Sequence, residues 1–306
     1  MALYLRTIDE TQRLVLPMGE SMFPTTTAPR TWFVTGASRG IGHALALAAL
    51  ERGDRVAAAA RSATADLFDA RHRERVLALS VDVTDKSAVD AAVTAAVDHF
   101  GRLDVVVNNA GTMSMGMVEE FTEAQARAQL EVNFFGALWV SQAAMPHLRR
   151  QGSGHLLQIS SIAGLGGFPS TGLYSASKFA LEGMSEALAM EAVAFGVRVT
   201  IVQPGGYWTD LYTSMTSTTP LDAYAPVRAE LERQWAEGSV DSDPRLAAEA
   251  MLAVVDSEEP PLRLALGSTT YDLAHHISRQ RVKTWSAWEE ISRAAEHAVP
   301  QPEAAR

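Results

Sequence analysis

The stretch Trp32-Phe-Val-Thr-Gly-Ala-Ser-Arg-Gly-Ile-Gly42 decides the fold, because a short apolar run leads into a glycine-rich turn and then an Ala- and Leu-rich segment. Glycines at 36, 40 and 42 permit a tight turn and a close backbone approach to a phosphate. The N-terminus of the following helix offers free N–H groups to such an anion. The stretch therefore predicts a strand, a turn and a helix that bind a dinucleotide pyrophosphate. A glycine turn without a ligand is the alternative interpretation.

Short apolar runs alternate with longer amphipathic stretches along the chain, and this pattern indicates βαβ units and a parallel sheet. Near-continuous apolar strands are typical of a sheet covered on both faces. We predict an α/β fold: a single doubly wound Rossmann-type domain with a seven-stranded parallel sheet flanked by helices. The predicted strands lie at 32–34, 55–60, 76–81, 105–107, 156–160, 197–202 and 262–266. The predicted helices lie near 40–52, 86–99, 121–150, 175–195 and 244–256.

Three segments depart from this alternation. Residues 1–30 form a predicted N-terminal extension, either a flexible tail or an arm that clamps the surface, ahead of the 31–270 domain. Residues 207–243 carry aromatic side chains among Thr, Ser and Pro, and a long irregular insertion of this kind is typical of a substrate lid. Residues 271–306 form a predicted C-terminal extension with one more helix from Tyr271 to Ala298.

The composition excludes several classes of function. The 306-residue chain has a net charge of −10, which disfavours nonspecific binding to nucleic acid or to an anionic membrane. It contains no cysteine, so disulfides, thiolate metal sites and cysteine nucleophiles are excluded. We predict no metal site. The sequence has no apolar run long enough to span a membrane, and its first 30 residues lack the apolar core of a secretory signal. We therefore expect a cytoplasmic protein.

The end of the second predicted strand selects between two cofactors. NAD-binding folds place an acidic residue there, about 20 positions after the glycines, for the ribose 2′-hydroxyl. Here the run is Ala57-Ala-Ala-Ala-Arg61, without a carboxylate. Arg61 offers charge-assisted hydrogen bonds to a 2′-phosphate, and Arg39 in the glycine turn is a second candidate. Both arginines predict NADP(H); the alternative for each is a solvated surface side chain.

The segment Tyr174-Ser-Ala-Ser-Lys178 opens a predicted helix and carries the candidate chemistry. A spacing of four residues places Tyr174 and Lys178 on one helix face. A free tyrosine titrates near a pKa of about 10, and a nearby ammonium favours the phenolate and lowers that pKa. Such a tyrosine acts as general acid when a carbonyl is reduced and as general base when an alcohol is oxidised.

Other polar residues make this pair specific. Ser161 lies 13 residues before Tyr174, directly after an apolar strand, where its hydroxyl can support charge on a reacting oxygen. Ser160 is the alternative, although the spacing favours Ser161. The sequence Asn108-Asn-Ala-Gly111 follows the fourth strand. Asn133 lies in the next predicted helix, where a purely structural hydrogen bond is the alternative role.

Together these motifs resemble the single-domain branch of the short-chain dehydrogenase/reductase family, over about residues 31–270. The segment from Tyr174 to Gly183 is most similar to the 17β-hydroxysteroid-dehydrogenase-like and retinol-dehydrogenase-like subgroup. The residues that carry the resemblance are Thr35-Gly-Ala-Ser-Arg-Gly-Ile-Gly42, Asp82, Asn108-Asn-Ala-Gly111, Asn133, Ser161, Tyr174, Lys178, Pro204-Gly205 and Thr209.

The resemblance implies a role for each residue of a catalytic tetrad. Tyr174 would transfer the proton, and Lys178 would lower its pKa and bond the nicotinamide ribose. Ser161 would orient the substrate oxygen. Asn133 would hold a water that links Lys178 to solvent.

The resemblance also implies a set of cofactor contacts. Asp82 and Val83 would face the adenine, and Thr209 would contact the carboxamide or the pyrophosphate. Tyr207 departs from the family pattern, which usually has a small or aliphatic residue there, so the pocket near the nicotinamide should differ in shape. The full predicted set is Gly36, Ser38, Arg39, Gly40, Ile41, Gly42, Arg61, Asp82, Val83, Asn109, Ala110, Gly111, Tyr174, Lys178, Pro204, Gly205, Tyr207 and Thr209.

The sequence thus predicts an NADPH-dependent oxidoreductase that interconverts a carbonyl and an alcohol by hydride transfer. The aromatic lid favours an apolar or aromatic small-molecule substrate, and the resemblance implies a homodimer or homotetramer. Two alternatives are open: a catalytically weak cofactor-binding or regulatory protein, and another reductase or epimerase chemistry on the same fold. The presence of all four tetrad residues favours the active enzyme.

Overall fold

The strand β1 (Thr31–Thr35) lies at the centre of the sheet, and every one of its residues is buried. The computed structural model describes residues 28–64, 66–236 and 241–296. Most of the predicted extension 1–30, and residues 297–306 at the other end, lie outside these ranges. The other strands are β2 (Arg55–Ala60), β3 (Val76–Ser80), β4 (Val105–Asn108), β5 (Ser114–Met115), β6 (Gly154–Ile159), β7 (Val197–Pro204), β8 (Thr216–Ser217) and β9 (Arg263–Leu266).

The main sheet confirms the predicted fold. It has seven strands in the order β3-β2-β1-β4-β6-β7-β9, and all neighbouring pairs are parallel. The chain builds outward from β1 through β2 and β3, then returns to place β4 on the other side of β1. At such a reversal the segments that follow the two central strands diverge, and a crevice opens at their carboxyl ends. The functional site should therefore lie beyond Thr35 and Asn108.

The helices begin and end where the sequence supplies capping residues. Asp85 accepts a hydrogen bond from Ala88 N at 3.1 Å at the start of α2, and Gly101 adopts a φ of 79° at its end. Asp243 caps α7, which has Pro244 in its first turn. The helices are α1 (Gly40–Glu51), α2 (Lys86–Phe100), α3 (Glu123–Leu130), α4 (Gly136–Gln151), α5 (Gly172–Ala192), α6 (Ala225–Ala236), α7 (Pro244–Asp256), α8 (Ser268–Ala287) and α9 (Glu289–Ala294).

Alternate residues of the strands feed two separate apolar layers. Trp32 and Val34 of β1 pack with α1 and α7, whereas Phe33 packs on the opposite face with α2 and α4. This division follows from the period of two along a strand, because both faces of a parallel sheet are covered. The two layers make the sheet a rigid support for the residues at its edge.

Three elements differ in detail from the sequence-based prediction. The predicted helix at 121–150 is divided, because a π-helical turn, Glu131–Phe135, separates α3 from α4. The lid segment, residues 207–243, was expected to be irregular, yet it contains α6 and β8; its residues 237–240 lie outside the described part. The predicted helix 271–298 starts earlier, at Ser268, and is interrupted at Trp288; its last two residues are not described.

Within the described ranges, no helix combines the length and the apolar character needed to cross a bilayer.

Candidate active site

The glycine turn joins β1 to α1 in the predicted way. Gly36 and Gly40 adopt φ values of 64° and 58°, which side chains with a Cβ rarely tolerate. A Cβ at Gly42 would lie 2.3 Å from Asn109 Nδ2 and 2.5 Å from Gly36 O. The turn is therefore packed so closely that only glycine fits at these positions.

The segment after β4 holds this turn in place. Asn109 Nδ2 donates to Thr35 O at 2.9 Å and to Gly36 O at 3.3 Å. Thr35 Oγ1 accepts hydrogen bonds from Asn109 N at 2.9 Å and Ala110 N at 3.0 Å. Asn109, which was expected to line the cofactor cleft, thus also fixes the conformation of the glycine turn.

A cleft of about 800 Å³ opens at the carboxyl edge of the sheet, between the ends of β1 and β4. It is lined by every predicted site residue except Gly42, which packs under the turn, and Asn133, which is buried behind Thr112. The lining residues that belong to the predicted set are Gly36, Ser38, Arg39, Gly40, Ile41, Arg61, Asp82, Val83, Asn109, Ala110, Gly111, Ser161, Tyr174, Lys178, Pro204, Gly205, Tyr207 and Thr209.

The cleft fits an extended dinucleotide anion. The N-terminus of α1 faces it, has no side-chain cap and carries no acidic residue in its first turn. A Cβ at Gly111 would lie 3.5 Å from Asn133 Oδ1 and 3.8 Å from Lys178 Nζ, so a side chain there would fill the cleft floor. Backbone donors at one end and open floor at the other suit a pyrophosphate and a ring, respectively.

Arg61 and Asp82 lie together in the cleft, after the ends of β2 and β3. Two hydrogen bonds from Thr84, a backbone one at 3.0 Å and a hydroxyl one at 2.8 Å, act with the nearby Arg61 charge to hold the pKa of Asp82 below its usual value. Arg61 is exposed, and no carboxylate of the described residues forms an ion pair with it. Its guanidinium is therefore available to a phosphate.

Arg39 has a different environment from the one expected. Its Nη2 donates to Ser214 Oγ at 3.0 Å, so the side chain reaches from the glycine turn to the lid segment. The contact joins residues 175 positions apart. In this arrangement Arg39 bridges the two walls of the cleft and does not stand free as Arg61 does.

Tyr174 and Ser161 meet at the inner end of the cleft. Tyr174 stands in the first turn of α5 and is 8% exposed, and the Ser161 side chain lies close enough to favour its phenolate. Burial raises the pKa of Tyr174 to about 12, although Ser161 acts in the opposite direction. We expected the neighbouring ammonium to lower this pKa, but in the protein alone desolvation of the phenolate has the larger effect.

Lys178 lies one helical turn after Tyr174. Its ammonium donates to Ile159 O at 2.8 Å and stands 5.7 Å from the centre of the Tyr174 ring. Burial lowers the pKa of Lys178 to about 8, because desolvation disfavours the charged form, while Glu182 opposes the change. The geometry thus places a cation with a reduced proton affinity beside the tyrosine.

Asn133 is placed by the π-helical turn between α3 and α4. Its Oδ1 accepts from Thr112 N, and its Nδ2 donates to Thr112 O, both at 2.9 Å, and to Ser177 Oγ at 3.0 Å. A π-turn adds one residue to the helix and frequently occurs at functional sites. It brings Asn133 next to α5 and to the cleft floor. The water that would link Asn133 and Lys178 to solvent stays a prediction.

Two neighbouring polar residues are used elsewhere. Ser160 Oγ donates to Glu182 Oε1 at 2.7 Å, whereas Ser161 is the serine that lowers the pKa of Tyr174. Asn108 Nδ2 donates to Ser141 Oγ and Gln158 Oε1, both at 3.0 Å, and so braces β4 against α4 and β6.

The lid segment is tied to the body by buried polar contacts. The side chain of Glu120 has no exposed area and accepts hydrogen bonds from Thr218 Oγ1 at 2.7 Å, Leu221 N at 2.9 Å and Arg228. These bonds, with that from Arg228 the strongest, lower the pKa of Glu120 to about 2. The carboxylate is thus charged at neutral pH and holds three points of the lid segment.

Several cleft residues lay outside the sequence prediction. Thr112 directly follows the Asn108–Gly111 motif and could have been found by extending it. The lid residues have no motif of their own, and only the fold brings them to the cleft. The principal additions are Thr112, Ser114, Gln125, Gln129, Leu211, Tyr212, Ser214 and Thr216.

Comparison with known proteins agrees with the fold and the cleft. Residues 30–220 match the family model described as short chain dehydrogenase. The chain is 39% identical over 272 residues to Oxidoreductase BOA17 of Botryotinia fuckeliana, which covers 87% of this chain and 99% of that protein. It is 34% identical to the 3-ketodihydrosphingosine reductase of Bacteroides thetaiotaomicron, over 78% of this chain and 88% of that protein.

Solved structures give the same result. A short-chain dehydrogenase from Streptomyces avermitilis superposes with a TM-score of 0.82 at 36% identity, over 89% of this chain and 100% of that one. A short-chain dehydrogenase from Burkholderia cenocepacia in complex with NADP has a TM-score of 0.67 at 28% identity, over 85% and 97% of the two chains. The cleft, the glycine turn and these similarities show that the chain belongs to the short-chain dehydrogenase family of oxidoreductases.

Proposed function

We propose that this oxidoreductase uses NADP(H) to interconvert a ketone or aldehyde and its alcohol, with Tyr174 as general acid and base. The observation that carries the proposal is that Ser161, Tyr174 and Lys178 line the same end of one cleft, with the Lys178 ammonium 5.7 Å from the centre of the tyrosine ring. A hydroxyl pair beside a buried cation, at the end of a dinucleotide-sized cleft, suits a reaction in which a carbonyl oxygen gains a proton.

The chain's own residues handle the oxygen and the proton. When bound, NADPH supplies a hydride to the carbonyl carbon. Ser161 and Tyr174 hold the carbonyl oxygen, and Tyr174 gives its hydroxyl proton to that oxygen as the C–O double bond becomes single. Lys178 stabilises the resulting phenolate. Together with a water held by Asn133, it forms the path along which Tyr174 regains a proton from solvent. In alcohol oxidation the same proton moves in the reverse direction.

The preference for NADP(H) rests on Arg61. Its guanidinium lies beside Asp82 in the cleft and forms no ion pair with the described residues, and we assign it to a 2′-phosphate. A carboxylate that would bond a ribose 2′-hydroxyl is absent from the end of β2. The NADP in the Burkholderia cenocepacia relative supports the same choice.

An apolar or aromatic substrate is proposed from the lid segment. Leu211 and Tyr212 line the cleft, and Tyr212 lies near enough to Tyr174 for its hydroxyl to raise the pKa of that residue. The relative named a 3-ketodihydrosphingosine reductase supports a ketone as the reacting group. We further propose that the protein is a cytoplasmic homodimer or homotetramer. We also propose that it belongs to the 17β-hydroxysteroid-dehydrogenase-like and retinol-dehydrogenase-like subgroup.

Replacing Tyr174 by Phe removes the proton donor and should reduce the rate of NADPH-driven carbonyl reduction about a hundredfold to ten-thousandfold. NADPH affinity, measured by fluorescence titration, should remain within a few-fold. The matched control is Tyr271→Phe, which removes the hydroxyl of an exposed tyrosine on α8. A substrate panel gives the readout. Near-normal turnover by the Tyr174→Phe protein would refute the assignment, and a wild-type protein that binds NADPH without turnover would favour the regulatory alternative.

Replacing Arg61 by Asp should weaken NADPH binding roughly tenfold to a hundredfold, because one or more charge-assisted hydrogen bonds are lost and repulsion is added. NADH binding should change little. Dissociation constants for both cofactors provide the measurement, and Arg73→Asp, at an exposed arginine in the same connection, is the control. If the NADPH-to-NADH preference were unchanged, Arg61 would not be the selector.

The pH dependence follows from the lowered pKa of Lys178. Its ammonium is fully present below about pH 8 and is lost above it, while Tyr174, with a pKa of about 12, stays protonated over this range. We expect kcat/KM for carbonyl reduction at saturating NADPH to fall as the pH rises through about 8. A profile that stays flat up to the ordinary lysine value of 10.5 would contradict the role of Lys178.

Replacing Glu120 by Gln removes the charge that holds the lid segment at Thr218, Leu221 and Arg228. We expect KM for the carbonyl substrate to rise roughly tenfold, with a smaller change in kcat. Steady-state kinetics provide the test, and Glu123→Gln, at an exposed glutamate paired with Arg127, is the control. Equal kinetics for the two variants would show that the lid contact does not affect substrate binding.

A further inference from the structure

Glu182 is a buried acid that the proposed mechanism does not use. Glu182 lies on α5 one turn after Lys178 and is only 5% exposed. Of the three glutamates in α5, all within the described residues, Glu182 alone is buried. A buried carboxylate carries a desolvation cost of several kcal/mol unless donors surround it. The donors that surround Glu182 therefore indicate its role in the structure.

The donors to Glu182 come from three neighbouring strands: from the carboxyl ends of β6 and β7 and from the first residue of β9. Ser160 Oγ, directly after β6, donates to Oε1 at 2.7 Å. Gln203 Nε2 on β7 donates to Oε1 at 2.9 Å and to Oε2 at 3.0 Å. Arg263 Nε on β9 donates to Oε2 at 3.2 Å and its Nη2 also pairs with Glu186. One carboxylate thus joins α5 to three neighbouring strands of the sheet.

Two of these donors are adjacent to residues of the active site. Ser160 immediately precedes Ser161, and Gln203 immediately precedes Pro204, which lines the cleft. A Cβ at Gly164, in the turn that follows Ser161, would lie 2.2 Å from Glu182 Oε1. The turn that carries Ser161 is therefore packed directly onto the carboxylate, and a change at Glu182 would be transmitted to the serine hydroxyl.

The charge of Glu182 also acts on Lys178. The groups that face this region are Tyr174 and Glu186 on α5 and Arg263 on β9. Burial lowers the pKa of Lys178, whereas the charge of Glu182, one helical turn away, raises it, so Glu182 favours the ammonium form. A gain in stability does not by itself explain why Glu182 is buried and paired with Arg263, because well-packed apolar residues often stabilise a protein as much as a buried ion pair does.

We propose that Glu182 is a positioning residue of the active site: it holds the Ser161 turn and the Pro204 segment together and supplies the negative charge that maintains the Lys178 ammonium. This inference rests on the proposed function, in which Ser161 and Lys178 serve carbonyl reduction. Glu182 touches neither substrate nor cofactor, and acts through its neighbours.

The experiment measures the titration of Lys178 directly. The chain contains three lysines, Lys86, Lys178 and Lys283, so lysine labelled with carbon-13 at Cε gives few NMR signals, and Lys178→Arg identifies the relevant one. In Glu182→Gln protein, the Lys178 midpoint should fall by about one pH unit, and the alkaline limb of kcat should move with it. Glu182→Asp, which keeps the charge, should return the midpoint toward the wild-type value.

Two further variants separate this role from a merely structural one. Glu186→Gln removes the other partner of Arg263 but touches neither Ser160 nor Gln203, so the Lys178 midpoint and the pH profile should stay unchanged. Arg263→Gln removes a positive charge beside Glu182 and should raise the Lys178 midpoint. This opposite sign keeps the proposal testable if Glu182→Gln protein does not fold.

The outcomes distinguish this inference from the proposed function. A Lys178 midpoint that is the same in wild-type and folded Glu182→Gln protein would overturn the inference, as would an Arg263→Gln variant that lowers the midpoint. Reduced thermal stability with an unmoved midpoint would show a structural role only and would likewise overturn it. Because the NMR titration needs no turnover, it tests Glu182 even if no carbonyl were reduced, whereas Tyr174→Phe kinetics test the reaction independently.

Discussion

One hydroxyl group connects the two strands between which the cleft opens. Thr35 Oγ1, at the end of β1, donates to Val107 O on β4 at 3.1 Å and accepts from the backbone N–H groups of Asn109 and Ala110. The chain leaves these strands in opposite directions, so this bond network is what keeps the two exits in register. The glycine turn rests on it through Asn109, and the N-terminus of α1 faces the cleft as a result.

Burial then determines the chemistry of the site. Tyr174 and Lys178 are removed from water together, and the same desolvation raises the pKa of one to about 12 and lowers that of the other to about 8. Desolvation favours the neutral form of both side chains, which suits the proton transfer proposed for this site. The Ile159 carbonyl, which accepts a hydrogen bond from Lys178, and the charge of Glu182 favour the ammonium form of the lysine. A fixed arrangement of this kind avoids reorganisation during the reaction.

Two buried carboxylates serve as clamps in different parts of the molecule. Glu120 accepts from donors in the lid segment 98 and 108 positions along the chain, and Glu182 accepts from the carboxyl ends of β6 and β7 and from the first residue of β9. Each charge is costly to bury alone, and each is satisfied by several donors. Each carboxylate therefore holds a segment that borders the cleft: Glu120 holds the lid segment, and Glu182 holds the turn after β6.

The sequence alone determined the βαβ order, the parallel sheet and the glycine turn, because these depend on apolar periodicity and on local backbone freedom around Gly36 and Gly40. It also placed Tyr174 and Lys178 on one helix face, since four residues make about one helical turn. Only the tertiary structure decided which groups surround them. It divided the helix at Asn133 with a π-turn, turned Arg39 toward Ser214 in the lid segment, and placed Glu182 among the strand ends. The direction of the Tyr174 pKa shift likewise depends on burial, a property of the packed fold that the local spacing of residues does not contain.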